Sequence, residues 1–303
     1  MNHPATRLSP GDTGLVLIIC IVWAGNLIAG KAGMEHFSPF LFMTLRFIVV
    51  LLILLPFLRI PPPGQWGTIL FVSLMLGVLH FSLFFWALAL SVDVTSVGIV
   101  LQMYIPMSVL LAMLLMGERV GSVTLAAVYF TFLGVLVVGL DPLVLQQTDV
   151  LLICLCTALF QALGSIYQRR VTGVGVMNFQ AWVALIALPV MALTSLLTEQ
   201  GQWETIRTAQ WQHWSAIAYS AVMASIVGHG LFFFLVQRNP VSLVMPYLQI
   251  TPVAAVAFGV LIWGDKPGPR LLLGGAMVIA GVLFITLRAR KKALRAKATA
   301  GIA

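Results

Sequence analysis

Ten apolar stretches fill almost the whole chain, each close to the ~20 residues an α-helix needs to cross a bilayer. They run at about 13–33, 38–58, 67–90, 95–116, 122–140, 149–168, 177–198, 213–236, 241–263 and 270–288. Lipid supplies no hydrogen bonds, so backbone inside it must be helical or part of a closed barrel. Uninterrupted runs of this length read as helices. Turn-forming clusters separate them: Pro61-Pro62-Pro63-Gly64, Asp141-Pro142, Gly173 to Gly175, Asn239-Pro240 and Pro267-Gly268-Pro269. The 303 residues are 60% hydrophobic and 9% charged, against about 25% charged in a soluble domain. The chain is thus expected to be an all-α polytopic membrane protein. The first stretch is too long for a cleaved leader and more follow at once, so a retained helix is expected.

A repeat organises these spans. Leu101-Gln102 matches Leu248-Gln249, Gly117-Glu118 matches Gly264-Asp265, Gly121 matches Gly268, and Gly134-Val135-Leu136 matches Gly281-Val282-Leu283. Pro106 and Pro252 follow the two glutamines, one residue out of register. Leu17-Ile18-Ile19-Cys20 echoes Leu151-Leu152-Ile153-Cys154, with Ala24 and Gly30 matching Ala158 and Gly164. His80-Phe81-Ser82-Leu83-Phe84-Phe85 echoes His229-Gly230-Leu231-Phe232-Phe233-Phe234. Five spans per half is an odd number, so the halves must enter the membrane in opposite senses. Two inverted five-helix repeats around a central cavity are expected, an arrangement that secondary transporters use to place their substrate site between repeats. The expected divisions are a cytoplasmic segment 1–12, a first repeat 13–140, a periplasmic linker 141–148, a second repeat 149–288 and a basic cytoplasmic tail 289–303.

Orientation follows from Lys and Arg. With both termini in the cytoplasm, the inner side receives Arg7, Arg59, Arg119, Arg169, Arg170, Arg238 and the tail cluster from Arg288 to Lys297. The outer side receives only Lys31, Arg207, Lys266 and Arg270. This asymmetry accounts for the net charge of +8 without a nucleic-acid partner, since a basic tail after the last span is a topology determinant near anionic lipid. Cys20, Cys154 and Cys156 all lie in apolar segments and form neither a disulfide framework nor a metal-ligand spacing.

Five-plus-five spans, Pro39 with Arg46-Phe47 in span two, and Gly-Glu or Gly-Asp closing spans four and nine resemble the drug/metabolite transporter superfamily, and within it the ten-helix EamA-type exporters. The resemblance covers roughly residues 13–288. Spans three and four and the second half are similar to aromatic amino-acid exporters of bacterial inner membranes. It implies a multi-pass inner-membrane protein that exports small metabolites. The second half departs from symmetry: Phe179-Gln180-Ala181-Trp182 carries no counterpart of Arg46.

Polar chemistry inside the spans is sparse. No Asp or Glu lies deep in a span, so the carboxylate relays of many pumps have no candidate. His80 and His229 lack the second ligand a zinc site needs, and no cofactor motif occurs. Helical spacing puts Ser73, Gly77, His80, Phe84, Ala87 and Ser91 on one face of span three, with Ser225, His229 and Phe232 or Phe233 on the matching face of span eight. Trp23 and Asn26 in span one, Gln161 in span six, and Gln102, Tyr104 and Gln249 in spans four and nine complete the candidate cavity lining. Pro106 and Pro252 are candidate kinks, because a proline frees a carbonyl one turn earlier. Arg46, about two turns from the outer end of span two, either snorkels outward, fixes a gate, or attracts a carboxylate. Each buried amide also fits a plain helix-bridging role.

Amides, imidazoles and rings suit a zwitterion with an aromatic side chain. The expected protein is a monomeric exporter of aromatic and other neutral amino acids, embedded in lipid and using no cofactor. A multidrug or cationic-drug exporter is the alternative within transport, though such cargo usually calls for a membrane carboxylate. An intramembrane enzyme would need a Ser/His, paired-Asp, metal or nucleotide motif that the sequence lacks.

Overall fold

The computed structural model describes residues 8–118, 120–239, 244 and 247–300. Within these, the side chains of 233, 236–238, 293–294 and 296–300 lie outside the description. Among the described residues, nine helices are long and apolar enough to span a membrane: α1 (Pro10–Gly33), α2 (Pro39–Phe57), α3 (Trp66–Leu90), α4 (Val94–Met116), α5 (Ser122–Gly139), α6 (Thr148–Gln168), α7 (Val176–Thr198), α8 (Trp211–Phe232) and α10 (Pro269–Lys292). A shorter apolar helix, α9 (Tyr247–Trp263), completes the ten. Among the described residues there are no strands. Large apolar side chains such as Leu52, Leu114, Leu197 and Leu261 stand exposed around the bundle, as residues facing lipid do.

The helix ends follow local rules. Ser9 caps α1 by accepting the Asp12 N–H at 3.0 Å, with Pro10 in the first turn. Glu199, beyond the end of α7, accepts the Phe40 and Leu41 N–H groups at 2.8 and 3.0 Å and so caps α2. Gly117 and Gly264 close α4 and α9 in the left-handed region, at φ 64° and 84°. The next N–H in each case reaches back six residues, Glu118 to the Ala112 carbonyl and Asp265 to the Gly259 carbonyl. The two terminations thus coincide at the sequence offset of the repeat. The last helix does not stop with the hydrophobic stretch but continues through the basic tail to Ala300, a segment of Ala, Lys and Arg, all strong helix formers.

Packing repeats the same symmetry and crosses between halves. α1 packs on α8 and α9, and its counterpart α6 packs on α3 and α4. α2 meets α8 just as α7 meets α3, while α2–α7, α4–α9 and α5–α10 are pairs of equivalents. The α5–α10 seam is the closest: a Cβ on Gly134 would lie 3.0 Å from the Gly274 carbonyl oxygen and 2.9 Å from Met277 Cβ. Small residues permit that approach.

Most irregular helical turns recur in matching places, although the π-helical end of α9, Gly259–Trp263, has no match in α4. α3 is π-helical over Ser73–His80 and α8 over Tyr219–Gly228. Turns of 3-10 helix occupy Leu101–Met103 in α4 and Tyr247–Gln249 in α9, just ahead of Pro106 and Pro252, both buried.

Candidate functional site

The two candidate histidines occupy matching places in the two halves. His80 closes the π-helical turn of α3, and His229 follows that of α8; wide turns of this kind are frequent at functional sites. His80 is buried, its Nδ1 3.2 Å from the Thr157 carbonyl oxygen of α6, and its ring is parallel to Phe84 at 6.1 Å. His229 sits 5.2 Å from the Trp23 ring of α1, and Phe232, one turn on, lies 6.0 Å from the same indole. Trp23 donates its Nε1–H to the Ala224 carbonyl at 3.2 Å. A Cβ on Gly228 would run into the same indole, so a glycine there lets α1 approach α8. At the offset that aligns Cys20 with Cys154, Trp23 aligns with Thr157. Equivalent positions on α1 and α6 therefore hold equivalent histidines across the pseudo-two-fold axis.

Arg46 lies between these clusters and does not snorkel: the residue is 2% exposed. Its Nε and Nη2 donate to Ser225 Oγ at 3.2 and 2.9 Å, and Nη1 points to Met43 Sδ at 3.7 Å. The guanidinium carbon stands 4.4 Å from the Phe81 ring centre and 5.4 Å from that of Phe85. Phe81 touches His80 at 4.9 Å, and Ser225 follows Ala224, the partner of Trp23. Ser225 in turn donates to the Ser220 carbonyl at 3.0 Å, an i to i−5 bond that matches the π-helical geometry of the segment.

The remaining candidates fall into two groups. Asn26 and Gln249, on the packed helices α1 and α9, are buried, and Asn26 Oδ1 and Gln249 Oε1 have no hydrogen-bond partner among the described residues. Pro252 cannot bond the Leu248 carbonyl, which instead lies 4.0 Å from Cys20 Sγ. Gln102, Tyr104 and Gln161 are half-buried on the packed helices α4 and α6, and no side-chain hydrogen bond ties them to the histidine clusters. The side chain of Phe233 lies outside the described residues.

Sequence reading missed the network at one end of the bundle. Asp265, buried, accepts the Val94 N–H, the Thr95 N–H and the Thr95 hydroxyl on one carboxylate oxygen, at 3.0, 2.8 and 2.7 Å. It thereby ties the end of α9 to the start of α4, across the halves. Asp93 caps α4 through Ser96 N–H and Oγ–H at 2.6 and 2.8 Å, and burial raises its carboxyl above the ordinary value, partly opposed by these bonds. Lys31 closes α3 at the same end by donating to the Leu88, Ala89 and Ser91 carbonyls. The repeat mate of Asp265 behaves differently. Glu118 is exposed and forms a surface ion pair with Arg169 at 3.5 Å. The shared Gly-acid motif was the signal available, but motif identity does not reveal burial.

An all-α bundle of two inverted halves, with paired irregular turns and histidines at their interface, is the architecture of a membrane transporter. Residues 13–140 and 149–287 each match the EamA-like transporter family, and the chain belongs to that family. Relatives described as a probable amino-acid metabolite efflux pump occur in Escherichia coli (strain K12) and Salmonella typhimurium. Each is 25% identical over 91% of this chain and 94% of its own length. A solved crystal structure superposes with a TM-score of 0.64 at 19% identity, covering 94% of this chain and 99% of the other, and shares the fold.

Proposed function

We propose that the protein exports neutral amino acids, aromatic ones among them, across the bacterial inner membrane by alternating access, with both termini and the Arg169-Arg170 loop cytoplasmic. The observation that carries this reading is the pair of buried, unpartnered acceptors, Asn26 Oδ1 and Gln249 Oε1, between helices of opposite halves. An unsatisfied buried amide costs roughly 1–3 kcal/mol, so retaining two at an interhelical seam points to a ligand or water that bonds them. An ammonium suits two carbonyl-type acceptors, and the Trp23, Phe84 and histidine rings suit an apolar or aromatic side chain. The names of the Escherichia and Salmonella relatives agree with this cargo. The deep part of each span holds no carboxylate, which disfavours a cationic-drug exporter and supports transport without obligatory sodium. As a monomer, one chain supplies both halves of the site.

Counterflow in proteoliposomes loaded with unlabelled amino acid tests the reading. Labelled phenylalanine and leucine should accumulate transiently, with or without sodium. Failure of every neutral amino acid to exchange, with a cationic dye exchanging instead, overturns it. Single cysteines at Arg169 and Glu204, probed in intact cells with a membrane-impermeant thiol reagent, test the topology. Labelling at Glu204 alone is expected.

A further inference from the structure

We propose that Arg46 is the carboxylate-docking group of the transport site, so that the cargo must carry an anionic group at one end. The inference rests on the reading of the site as a small-metabolite cavity and adds the chemical requirement that the cargo must meet. Arg46 is 2% exposed in the interior of the bundle, and its hydrogen-bond partners are neutral: one hydroxyl and one thioether. Among the described residues the ion pair recorded is Glu118–Arg169 at the surface, so no carboxylate of the chain sits on this guanidinium. A buried charge without a counter-ion costs several kcal/mol, and intramembrane ionisable groups persist where they serve a pathway. A helix-packing role for α2 would be met at lower cost by Leu or Met.

The geometry leaves the required donors. Guanidinium carries five N–H groups in a planar fork. The Nε and Nη2 edge converges on the single Ser225 oxygen, at 3.2 and 2.9 Å. Ser225 cannot follow that charge, because its own proton is committed to the Ser220 carbonyl at 3.0 Å. Nη2 carries a second N–H beyond the one on Ser225, and Nη1 makes the long thioether contact at 3.7 Å. The Nη1 and Nη2 end is the edge that binds carboxylates in bidentate fashion. Phe81 and Phe85 cover the flat face at 4.4 and 5.4 Å, holding the fork in one orientation.

Position completes the case. Through Phe81 the guanidinium adjoins the His80 cluster, and through Ser225 it adjoins the Trp23–His229 cluster. It thus sits between elements of both halves, where a site that opens alternately to each side belongs. Asn26 Oδ1 and Gln249 Oε1 are acceptors without a donor, whereas Arg46 is a donor without an anion. A zwitterion carries a group complementary to each, and an amine lacking a carboxylate offers nothing to Arg46.

The test compares acids with their neutral amides. Parent protein, Arg46→Lys and Arg46→Met are reconstituted, and counterflow is measured for phenylalanine, phenylalaninamide and phenethylamine. Stabilisation against heat by phenylalanine and by phenylacetate is read on the same samples in detergent. The parent should prefer phenylalanine over its amide. Arg46→Lys, which keeps the charge without the fork, should raise half-saturation for phenylalanine about 5- to 150-fold, the range for one lost charge-assisted contact. Arg46→Met should lose both the acid preference and the stabilisation by phenylacetate. Should Arg46→Met not fold, Arg46→Lys carries the comparison alone. Unchanged acid preference and half-saturation in a folded variant overturn the assignment of Arg46. Absence of amino-acid counterflow in the parent, with phenylacetate still stabilising the parent but not Arg46→Met, overturns the amino-acid reading and leaves the anion site standing.

Discussion

Asp265 is the residue whose loss should move the whole transporter. Its carboxylate holds three donors at the start of α4, the Val94 and Thr95 N–H groups and the Thr95 hydroxyl, at 2.7 to 3.0 Å. These bonds exist only while the end of α9 lies against α4, so they favour the conformation closed at this end. Asn preserves an acceptor but removes the charge, and charge-assisted bonds are roughly twice as strong as neutral ones. With net values near 1 kcal/mol for a neutral bond and shared use of one oxygen, Asp265→Asn should cost about 1–2 kcal/mol, a 5- to 30-fold shift toward opening. Asp265→Ala also strips the α4 N-terminus of an acceptor and should approach 3 kcal/mol, about 150-fold. Gly259→Ala should act in the same direction, since its new Cβ would collide with the Asp265 carboxylate and the Thr95 hydroxyl. Glu118→Gln is the control: its ion pair with Arg169 joins side chains 54% and 67% exposed, worth under ~1 kcal/mol. The assay is alkylation of a single cysteine at Val97, which is 1% exposed in α4, in a background with Cys20, Cys154 and Cys156 replaced by alanine. Rates should rise in the order Glu118→Gln, Asp265→Asn, Asp265→Ala. Equal rates in all of them, with normal melting temperatures, would refute the latch.

Replacing His80 or Gln249 by leucine should raise half-saturation for substrate roughly 5- to 150-fold with melting temperature retained; lower melting with unchanged affinity would return both to helix bridging. Gly134→Ala should destabilise by about 1–3 kcal/mol, because the new Cβ meets the Gly274 backbone at 3.0 Å; thermal melting in detergent reads this directly. Burial holds the Asp93 carboxyl above its ordinary 3.8, so the folded state keeps that proton more tightly than the unfolded chain. Its contribution is present below 3.8 and lost as pH rises through the higher folded value. Asp93→Asn, which can still cap Ser96, should therefore show a smaller loss of melting temperature over that rise than the parent, and an unchanged slope would count against the assignment.

The spans were legible because lipid imposes length and polarity on each one, and every predicted stretch has its helix within a few residues at most described ends. The repeat was legible where chemistry is distinctive: Gly117 and Gly264 must adopt positive φ, and few residues tolerate it. What stayed hidden depends on partners distant in sequence. Nothing near Arg46 in the sequence indicates that Ser225, 179 residues away, would be its acceptor. Likewise Glu118 and Asp265 share one motif, yet one is exposed and the other buried. That difference arises from what packs against each helix end, Val94 and Thr95 at Asp265 and the Arg169 side chain at the surface for Glu118. The π-helical turns at Ser73–His80 and Tyr219–Gly228 left no mark on apolar periodicity, since nearly every neighbour is hydrophobic.

The exchange of first helices between halves has a bearing on how the chain is made. α1 leaves the ribosome first, but most of the surface it packs on belongs to α8 and α9, with smaller contacts to α3 and α4. Its inward face, including Asn26 and Trp23, must therefore wait in the bilayer until more than two hundred further residues have been inserted. α6, in contrast, arrives to find α3 and α4 already present. Assembly is thus unequal although the architecture is symmetric: the first five helices are completed by the sixth, and the last helices to be inserted complete the first. Each half relies on the other for part of its buried surface, so fragments severed between residues 140 and 149 should give a transporter only when both are inserted in the same membrane.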